Sequence, residues 1–178
     1  MDKNLKLFLD LIKYCEGTDK KPNPYAVVVG YAFEIKDFSR HPNQKIWIKS
    51  INDYSTAAGA YQFLFKTWES LRIKLNLKDF SPQSQDLGAI ELIKQRNAYN
   101  DVINGNFLDA VNKCAPIWAS MPFTKRTSFN GKLFEAGQGA YGQPIKTILQ
   151  IQTFLNLEKT KKKSTFISCP SCNHNFTI

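Results

Sequence analysis

The chain has 178 residues, of which 43% are hydrophobic and 22% are charged, a composition typical of a folded domain rather than a disordered segment. Lysine and arginine outnumber aspartate and glutamate by 24 to 15, so the net charge of +9 indicates an anionic partner such as nucleic acid, anionic lipid or cell-wall polymer. The longest apolar run, residues 25–33, is too short to span a bilayer, and the first residues predict no signal peptide.

The N-terminal part of the chain is predicted to hold a helix followed by a small sheet. Apolar residues recur every three or four positions over residues 5–15, which is typical of one helix face, and Gly17 is a natural residue just past a helix end. The first helix is therefore expected to stop near Glu16. β-Branched residues predict a strand over residues 25–29, and residues 30–39 are expected to continue it as a hairpin.

The rest of the chain is predicted to be mainly helical. Apolar residues keep helical spacing over residues 61–75, and Ser81 followed by Pro82 is typical of a helix start, here of a helix that runs to about residue 96. Shorter helical patterns cover residues 107–114 and 145–157. We therefore expect an α+β fold, mainly α, with one small sheet inserted early.

The composition changes after residue 158, where a run of lysines is typical of a solvated linker. We expect a folded domain over residues 1–158 and a basic tail over residues 159–178, either flexible or a partial zinc knuckle. In the tail, Cys169, Cys172 and His174 have the spacing of zinc ligands, but a structural zinc site needs four ligands and the tail offers three. A half-site that dimerises, a truncated module and a chance pair all stay open, and we assign no metal and no cofactor.

The other cysteines and the first histidine are predicted to be structural. Cys15 and Cys114 lie far apart in apolar segments, where a cysteine is typically a small buried hydrophobe, and without an export signal both thiols are expected to be reduced. His41 precedes a proline in a predicted turn. With so few histidines, catalysis at neutral pH would depend on carboxylates.

Glu16 is the carboxylate of greatest interest, because the C-terminus of a helix carries partial negative charge. That charge favours the protonated acid by about 0.3–1 kcal/mol, which is less than one pKa unit. Partial burial would raise the pKa further. A carboxyl group that stays protonated is what glycosidic bond cleavage needs in order to protonate the leaving oxygen.

Glu16 alone does not establish a catalytic role. Most glutamates at helix ends are solvated surface residues. A hydrolytic glycosidase also needs a second carboxylate about 5–10 Å from the first, and the sequence does not place one at that distance. The candidates are Asp19, Glu34, Asp37 and Asp53.

Six segments, taken together and in order, resemble the lambda-phage lysozyme family over about residues 5–150. That family resembles lysozymes in fold, so the resemblance implies a helical lobe, a small β-hairpin lobe and a cleft between them. The segments are residues 16–19, 28–30 with 37–42, 55–62, 77–86, 117–122 and 139–143.

The resemblance implies an endolysin that degrades peptidoglycan as a lytic transglycosylase. Such an enzyme cleaves the β-1,4 bond between N-acetylmuramic acid and N-acetylglucosamine without adding water, and it leaves a 1,6-anhydromuramic end. The family's catalytic glutamate falls on Glu16, which would act as general acid and then as general base. The residues that the resemblance places at the substrate are Ser55, Gly59, Tyr61, Gln62, Tyr141 and Gln143.

Three features depart from the family pattern. Ala26 stands where the best-known member has an aspartate, so substrate affinity or pH optimum is expected to differ, and Ala60 stands where that member has an arginine. Residues 123–138 look longer than in the family and carry basic side chains, and they are expected to form a mobile lip on the cleft. The basic tail has no recognised counterpart.

The implied partner is the glycan strand of bacterial peptidoglycan. The resemblance implies no nucleic-acid partner, no stable membrane insertion and no cofactor, and a monomer suffices for a cleft enzyme. It also implies storage in the cytoplasm of the bacterial host until a holin releases the protein to the periplasm or cell wall. Two alternatives stay open: a hydrolytic muramidase on the same fold, and a non-catalytic basic module that binds nucleic acid or the wall.

Overall fold

The computed structural model describes residues 1–49, 52–164, 166–168 and 175–177, with side chains described as far as residue 158. The described residues form six α-helices: α1 (Lys3–Glu16), α2 (Phe65–Leu75), α3 (Pro82–Gln95), α4 (Tyr99–Ile103), α5 (Phe107–Cys114) and α6 (Ile148–Ser164). Their strands form antiparallel pairs: β1 (Ile46–Ile48) with β2 (Asp53–Ser55), β3 (Thr127–Phe129) with β4 (Lys132–Phe134), and β5 (Phe166–Ser168) with β6 (Asn175–Thr177). The predicted α+β class, mainly α, is confirmed.

Helix α1 contributes one face to the core and ends where the sequence predicts. The side chain of Asp2 caps its N-terminus by accepting hydrogen bonds from the backbone N–H groups of Asn4 and Leu5, at 2.8 and 3.1 Å. Its C-terminus is closed by Gly17 in the left-handed conformation (φ +73°), which favours glycine. The helix packs against α4 and α6, so the position of its last residue, Glu16, is set by the core.

The predicted strand over residues 25–29 is wrong, and of the predicted hairpin with residues 30–39 only one antiparallel bridge, between Val27 and Glu34, is present. The chain there forms two short 3₁₀ turns, Pro24–Ala26 and Val29–Tyr31, joined to their surroundings by isolated β-bridges. Proline begins the first turn and the Asn23 side chain accepts a hydrogen bond from the Tyr25 N–H, which favours a turn over an extended strand. Of the valines that suggested a strand, Val27 and Val28 are buried and Val29 is partly buried.

The early β-hairpin is built from residues that the sequence analysis assigned to no element. Strand β1 pairs with β2 so that Trp47 lies opposite Tyr54 and Ile46 lies opposite Ser55. The strands are three residues long, which is too short for a clear alternation of apolar and polar residues. The hairpin places Ser55 at the end of β2, where it faces the cleft described below.

Helices α3 and α5 agree with their predicted positions, whereas α2 starts later than expected. The Ser81 hydroxyl oxygen accepts a hydrogen bond from the Ser84 N–H, and Pro82 occupies the first helical position, as predicted. Helix α2 begins at Phe65, because Gln62 takes a left-handed backbone conformation (φ +49°) that a helix cannot contain. Helix α4 was not predicted, since five residues are too few for a periodic pattern.

Helix α6 continues past the predicted domain boundary. It runs from Ile148 to Ser164, so no break in secondary structure separates residue 158 from residue 159, and the lysine run is helical rather than an extended linker. The division into residues 1–158 and 159–178 stays a prediction. Residues Cys169–His174, with their predicted zinc-ligand spacing, lie outside the described part of the chain.

The predicted structural roles of Cys15, Cys114 and His41 are confirmed. Both thiols are free and buried, and burial raises the pKa of Cys114 to about 12. His41 is 3% exposed, and its Nδ1 accepts a hydrogen bond from the Asn43 N–H at 3.0 Å, which leaves Nε2 to donate to the Phe63 carbonyl at 2.8 Å. Burial lowers the pKa of His41, so the ring is neutral and structural.

Residues 123–138 form an anchored hairpin. Asn112, which is buried in α5, accepts hydrogen bonds from the backbone N–H groups of Thr124 and Lys125. The rings of Phe123 and Phe134 pack with their centroids 4.8 Å apart. None of residues 123–138 lines the cleft described below, although the Phe129 ring packs edge-on against Tyr141, which does; the mobile lip stays a prediction. None of the described helices is both long and apolar enough to cross a membrane.

Candidate active site

A cleft opens where α1 ends, between the β1–β2 hairpin and the segment that follows α5. Its inner part is a cavity of about 210 Å³ that is bordered by Glu16, Ser55 and Trp118. Its outer part, of about 420 Å³, extends toward Tyr141. The two parts share several lining residues and therefore form one continuous cleft; the shared residues are Gln62, Leu64, Ile117, Trp118, Ala119 and Gln143.

Glu16 is half-buried at the inner end of this cleft. Burial raises the pKa of its carboxyl group to about 7, because a low-dielectric surrounding disfavours the charged form. A hydrogen bond of 2.6 Å from the Ser120 hydroxyl to Oε1 opposes this shift but does not cancel it. Glu16 therefore holds its proton to near-neutral pH. The predicted direction of the pKa shift agrees with the structure, and its main cause is burial rather than the helix dipole.

Ser120 is a site residue that the sequence analysis did not nominate. It lies 104 positions after Glu16 and reaches it only through the tertiary fold. The one signal in the sequence was its place within residues 117–122, one of the six segments of the family resemblance. Its hydroxyl fixes one carboxylate oxygen of Glu16 and leaves the other available to the cleft.

Two further hydrogen bonds hold the backbone around Glu16 in place. The Tyr31 hydroxyl donates to the Gly17 carbonyl at 2.9 Å. The hydroxyl of Thr18, which is fully buried, donates to the Ala60 carbonyl at 2.7 Å. These bonds tie the residues after α1 to Tyr31 and to the loop before α2, which holds the end of the helix in place.

Ser55 and Gln62 lie with Glu16 around the inner cavity, as the resemblance implies. The Ser55 hydroxyl oxygen accepts a hydrogen bond from the Ala57 N–H at 3.2 Å and keeps its own proton to donate. The Gln62 side chain donates to the Gly59 carbonyl at 2.9 Å. Its strained backbone conformation, with φ at +49°, is the kind of outlier that clusters at functional sites.

Tyr141 and Gln143 form the wall opposite the hairpin. The Tyr141 ring borders the outer part of the cleft and is 51% exposed, and its hydroxyl donates to the Pro116 carbonyl at 2.7 Å. Gln143 borders both parts of the cleft. Both residues therefore lie where a ligand in the cleft would pass.

Gly59 and Tyr61 are placed beneath the cleft. A Cβ atom at Gly59 would lie 2.2 Å from Oε1 of Gln85, so this glycine permits close packing. Tyr61 borders the outer cavity but is 1% exposed, and its hydroxyl donates to Asp86 at 2.6 Å. Both support the loop that carries Gln62, and their contact with substrate stays a prediction.

The cleft contains one carboxyl group among the residues described as lining it, that of Glu16. The candidate partner carboxylates line neither part of the cleft; they are Asp19, Glu34, Asp37 and Asp53. Trp118 forms part of the floor and is 3% exposed, with its indole N–H donating to the Tyr61 carbonyl. Within the described residues, no group of three or more His, Cys, Asp or Glu side chains is arranged to hold a metal.

Comparisons with known proteins agree with this architecture. The family model described as Endolysin matches residues 6–156, which includes every residue of the cleft. The chain belongs to the endolysin family. It is 39% identical to the endolysin of Escherichia phage lambda over 122 residues, covering 66% of this chain and 76% of that protein. It is 38% identical to the endolysin of Escherichia phage P2 over 132 residues, covering 67% of this chain and 79% of that protein.

Two solved structures of bacteriophage lambda lysozyme share the fold of this endolysin. One of them is described as complexed with a chitohexasaccharide. It superposes with a TM-score of 0.75 at 31% identity, and the match covers 89% of this chain and 96% of the lambda lysozyme chain. The other gives a TM-score of 0.71 at 32% identity and covers 90% of this chain and 94% of its own. The resemblance to the lambda-phage lysozyme family and the lysozyme-like fold class are thereby confirmed, and the chain is an endolysin of the lysozyme type.

Proposed function

We propose that this endolysin degrades bacterial peptidoglycan by cleaving the β-1,4 bond between N-acetylmuramic acid and N-acetylglucosamine as a lytic transglycosylase. The observation that carries the proposal is the single carboxyl group of the cleft, Glu16, whose pKa is raised to about 7. A hydrolase of the usual kind needs two carboxyl groups about 5–10 Å apart, whereas transglycosylation within one sugar needs only one.

In the proposed reaction Glu16 acts first as acid and then as base. Its proton passes to the glycosidic oxygen, the bond from C1 of the muramic acid to that oxygen breaks, and the N-acetylglucosamine leaves with a hydroxyl group. The C6 hydroxyl of the same muramic acid forms the new bond to C1 and returns its proton to the Glu16 carboxylate. The proton count balances, no water is consumed, and the nucleophile is already held beside the reacting carbon.

The cleft supplies hydrogen-bonding groups suited to a glycan. We infer that Ser55, Gln62 and Gln143 contact acetamido and hydroxyl groups, because all three border the inner cavity together with Glu16. The exposed Tyr141 ring offers a flat apolar face on which a sugar can stack. The family match extends this interpretation, since the related lambda lysozyme is described in complex with a chitohexasaccharide.

The test is mass spectrometry of the soluble products from purified peptidoglycan, with Glu16→Gln in parallel. The wild type is expected to release anhydro-muropeptides, each lighter by one water molecule than a hydrolytic product. Glu16→Gln is expected to lose about 10²-fold to 10⁴-fold or more in rate while keeping its fold, since it lacks the acid. Reducing ends that carry an added water molecule would instead establish a hydrolytic muramidase.

We also infer the setting in which the enzyme acts. The relatives are endolysins of bacteriophages, which supports storage in the host cytoplasm and holin-dependent release to the periplasm or cell wall. The cleft is formed within one chain, so a monomer is sufficient. Fractionation of lysing host cells is the check: the protein is expected in the cytoplasmic fraction until the membrane is permeabilised, and its appearance in the periplasm before that point would contradict this proposal.

A further inference from the structure

A second groove, here named the side groove, adjoins the cleft across Leu64. It has a volume of about 550 Å³, and its lining includes Lys45, Asp53, Tyr54 and Lys66. Leu64 borders this groove and both parts of the cleft, so the side groove adjoins the cavity that holds Glu16.

The β1–β2 hairpin contributes different residues to the side groove and to the cleft. Along β2, Asp53 and Tyr54 border the side groove, whereas Ser55 borders the inner cavity. The Thr56 hydroxyl oxygen accepts a hydrogen bond from the Phe65 N–H at 3.0 Å, which fastens the hairpin to the start of α2. The wall between the cleft and the side groove is therefore well defined.

The side groove combines apolar surface with unpaired positive charge. Tyr54 is 59% exposed and Leu64 is 50% exposed, so both offer apolar contact area. Lys45 and Lys66 are exposed, and neither forms an ion pair with another described residue. The opposing charge is Asp53, whose Oδ1 accepts a hydrogen bond from the Tyr54 N–H at 2.7 Å. An occupant with small apolar groups and more than one carboxylate would match this lining.

We propose that the side groove binds the peptide stem that N-acetylmuramic acid carries on its lactyl group, with Lys45 and Lys66 pairing with the stem's carboxylates. This inference rests on the proposed function, because the stem leaves the same sugar whose C1 reacts at Glu16. A stem attached there must cross the surface beside the inner cavity, and the side groove is a recess that shares Leu64 with that cavity. Peptide stems carry alanine methyl groups and free carboxylates, which fit Tyr54 and the two lysines.

The test measures binding without cleavage, in the Glu16→Gln variant. Soluble glycan chains with intact stems are compared with the same chains after an amidase has removed the stems. Glu16→Gln is expected to bind the stem-bearing chains about five- to tenfold more tightly, as expected for two exposed ion pairs together with a modest apolar contact. Adding Lys45→Ala and Lys66→Ala is expected to remove this preference and to leave affinity for the stem-free chains unchanged.

A charge-matched control is available in Lys36→Ala with Lys132→Ala. Both residues are exposed, and neither borders the cleft or the side groove, so this pair is expected to keep the preference. Equal affinity of Glu16→Gln for both substrates would overturn the stem proposal. An equal loss of affinity for both substrates in the Lys45/Lys66 variant would also overturn it, because general attraction to any anionic polymer would produce that result. Failure of Glu16→Gln to bind either glycan, with no products from the wild type, would overturn the proposed function and with it the stem proposal.

Discussion

At the scale of single residues, the chemistry depends on the proton of Glu16. The structure gives this side chain two opposing influences, burial that favours the neutral acid and a 2.6 Å hydrogen bond from Ser120 that favours the carboxylate. Burial prevails, and the pKa rises to about 7. A general acid with its pKa near the working pH can both give and recover a proton, as a single-carboxylate mechanism requires.

The first prediction concerns the pH dependence of activity. We expect kcat/KM on purified peptidoglycan to fall as the pH rises through about 7, because Glu16 then loses the proton that it must donate. The measurement is a pH–rate profile at constant ionic strength. A rate that stays level between about pH 6 and pH 9 would mean that a different group is the acid.

The second prediction concerns Ser120→Ala. Because the Ser120 hydroxyl stabilises the carboxylate form, its removal is expected to raise the pKa of Glu16 further and to move the alkaline limb of the pH–rate profile to higher pH. Ser120→Thr keeps a hydroxyl group and is the matched control. If the alkaline limb instead moves to lower pH in Ser120→Ala, the hydrogen bond from Ser120 does not stabilise the carboxylate form of Glu16.

The third prediction links Glu16 to stability. The folded chain keeps this proton up to about pH 7, whereas the unfolded chain releases it near the ordinary value of 4.5, so the free energy of unfolding falls as the pH rises across that window. Glu16→Gln buries no charge and is expected to melt at a higher temperature than the wild type at about pH 8, with the difference gone at about pH 4. Thermal unfolding followed by circular dichroism tests this, and equal melting temperatures at the higher pH would contradict it.

At the scale of elements, the loop between β2 and α2 decides the shape of the cleft. The Gln85 side chain accepts a hydrogen bond from the Ala60 N–H at 2.8 Å and donates to the Phe80 carbonyl at 2.8 Å, which fastens the loop to α3. Gly59 allows this approach because it has no side chain and takes a φ of +78°. The loop therefore presents Gln62 to the cleft at a position that α3 determines.

The fourth prediction compares two glycine substitutions. Gly59→Ala is expected to destabilise the fold by about 2–4 kcal/mol, because its Cβ would meet Gln85 and the backbone would be strained. Gly131→Ala, in the turn between β3 and β4, also has a positive φ but nothing within 4 Å of its Cβ, so about 1 kcal/mol is expected. Urea unfolding measures both, and equal losses would show that packing against Gln85 is unimportant.

At the scale of the whole molecule, the described residues that line the cleft lie between residues 16 and 143. Helix α6 packs against α1, the helix that ends at Glu16. Ile151 and Leu155 of α6 belong to the buried core, and the same helix continues through the lysine run at residues 159–163. The described residues that line the cleft all precede this run.

The fifth prediction concerns this C-terminal segment. A chain that ends at residue 164 keeps the lysine run, whereas one that ends at residue 158 lacks it. Both are expected to retain the wild-type kcat/KM on soluble glycan chains, because neither loses a residue of the cleft or of the described core. Steady-state kinetics at two salt concentrations are the measurement. A folded 1–158 chain that has lost activity would place part of the site in residues 159–178 and would contradict the predicted domain division.

The sequence by itself determined those features that depend on neighbours along the chain. The end of α1 at Gly17, the start of α3 at Ser81 and the mainly helical class follow from backbone preferences and capping chemistry. The six short segments, which occur in the family's order, indicated the family. The resemblance to that family then singled out Glu16.

Only the tertiary structure decided which side chains meet. It replaced the predicted strand at residues 25–29 with turns, since valine favours any buried position and not strands alone. It also moved Tyr61 and Gly59 beneath the cleft and brought Ser120 to Glu16 across 104 residues. Burial of the Glu16 carboxyl group, which decides its pKa, depends on side chains distant in sequence and has no local signature.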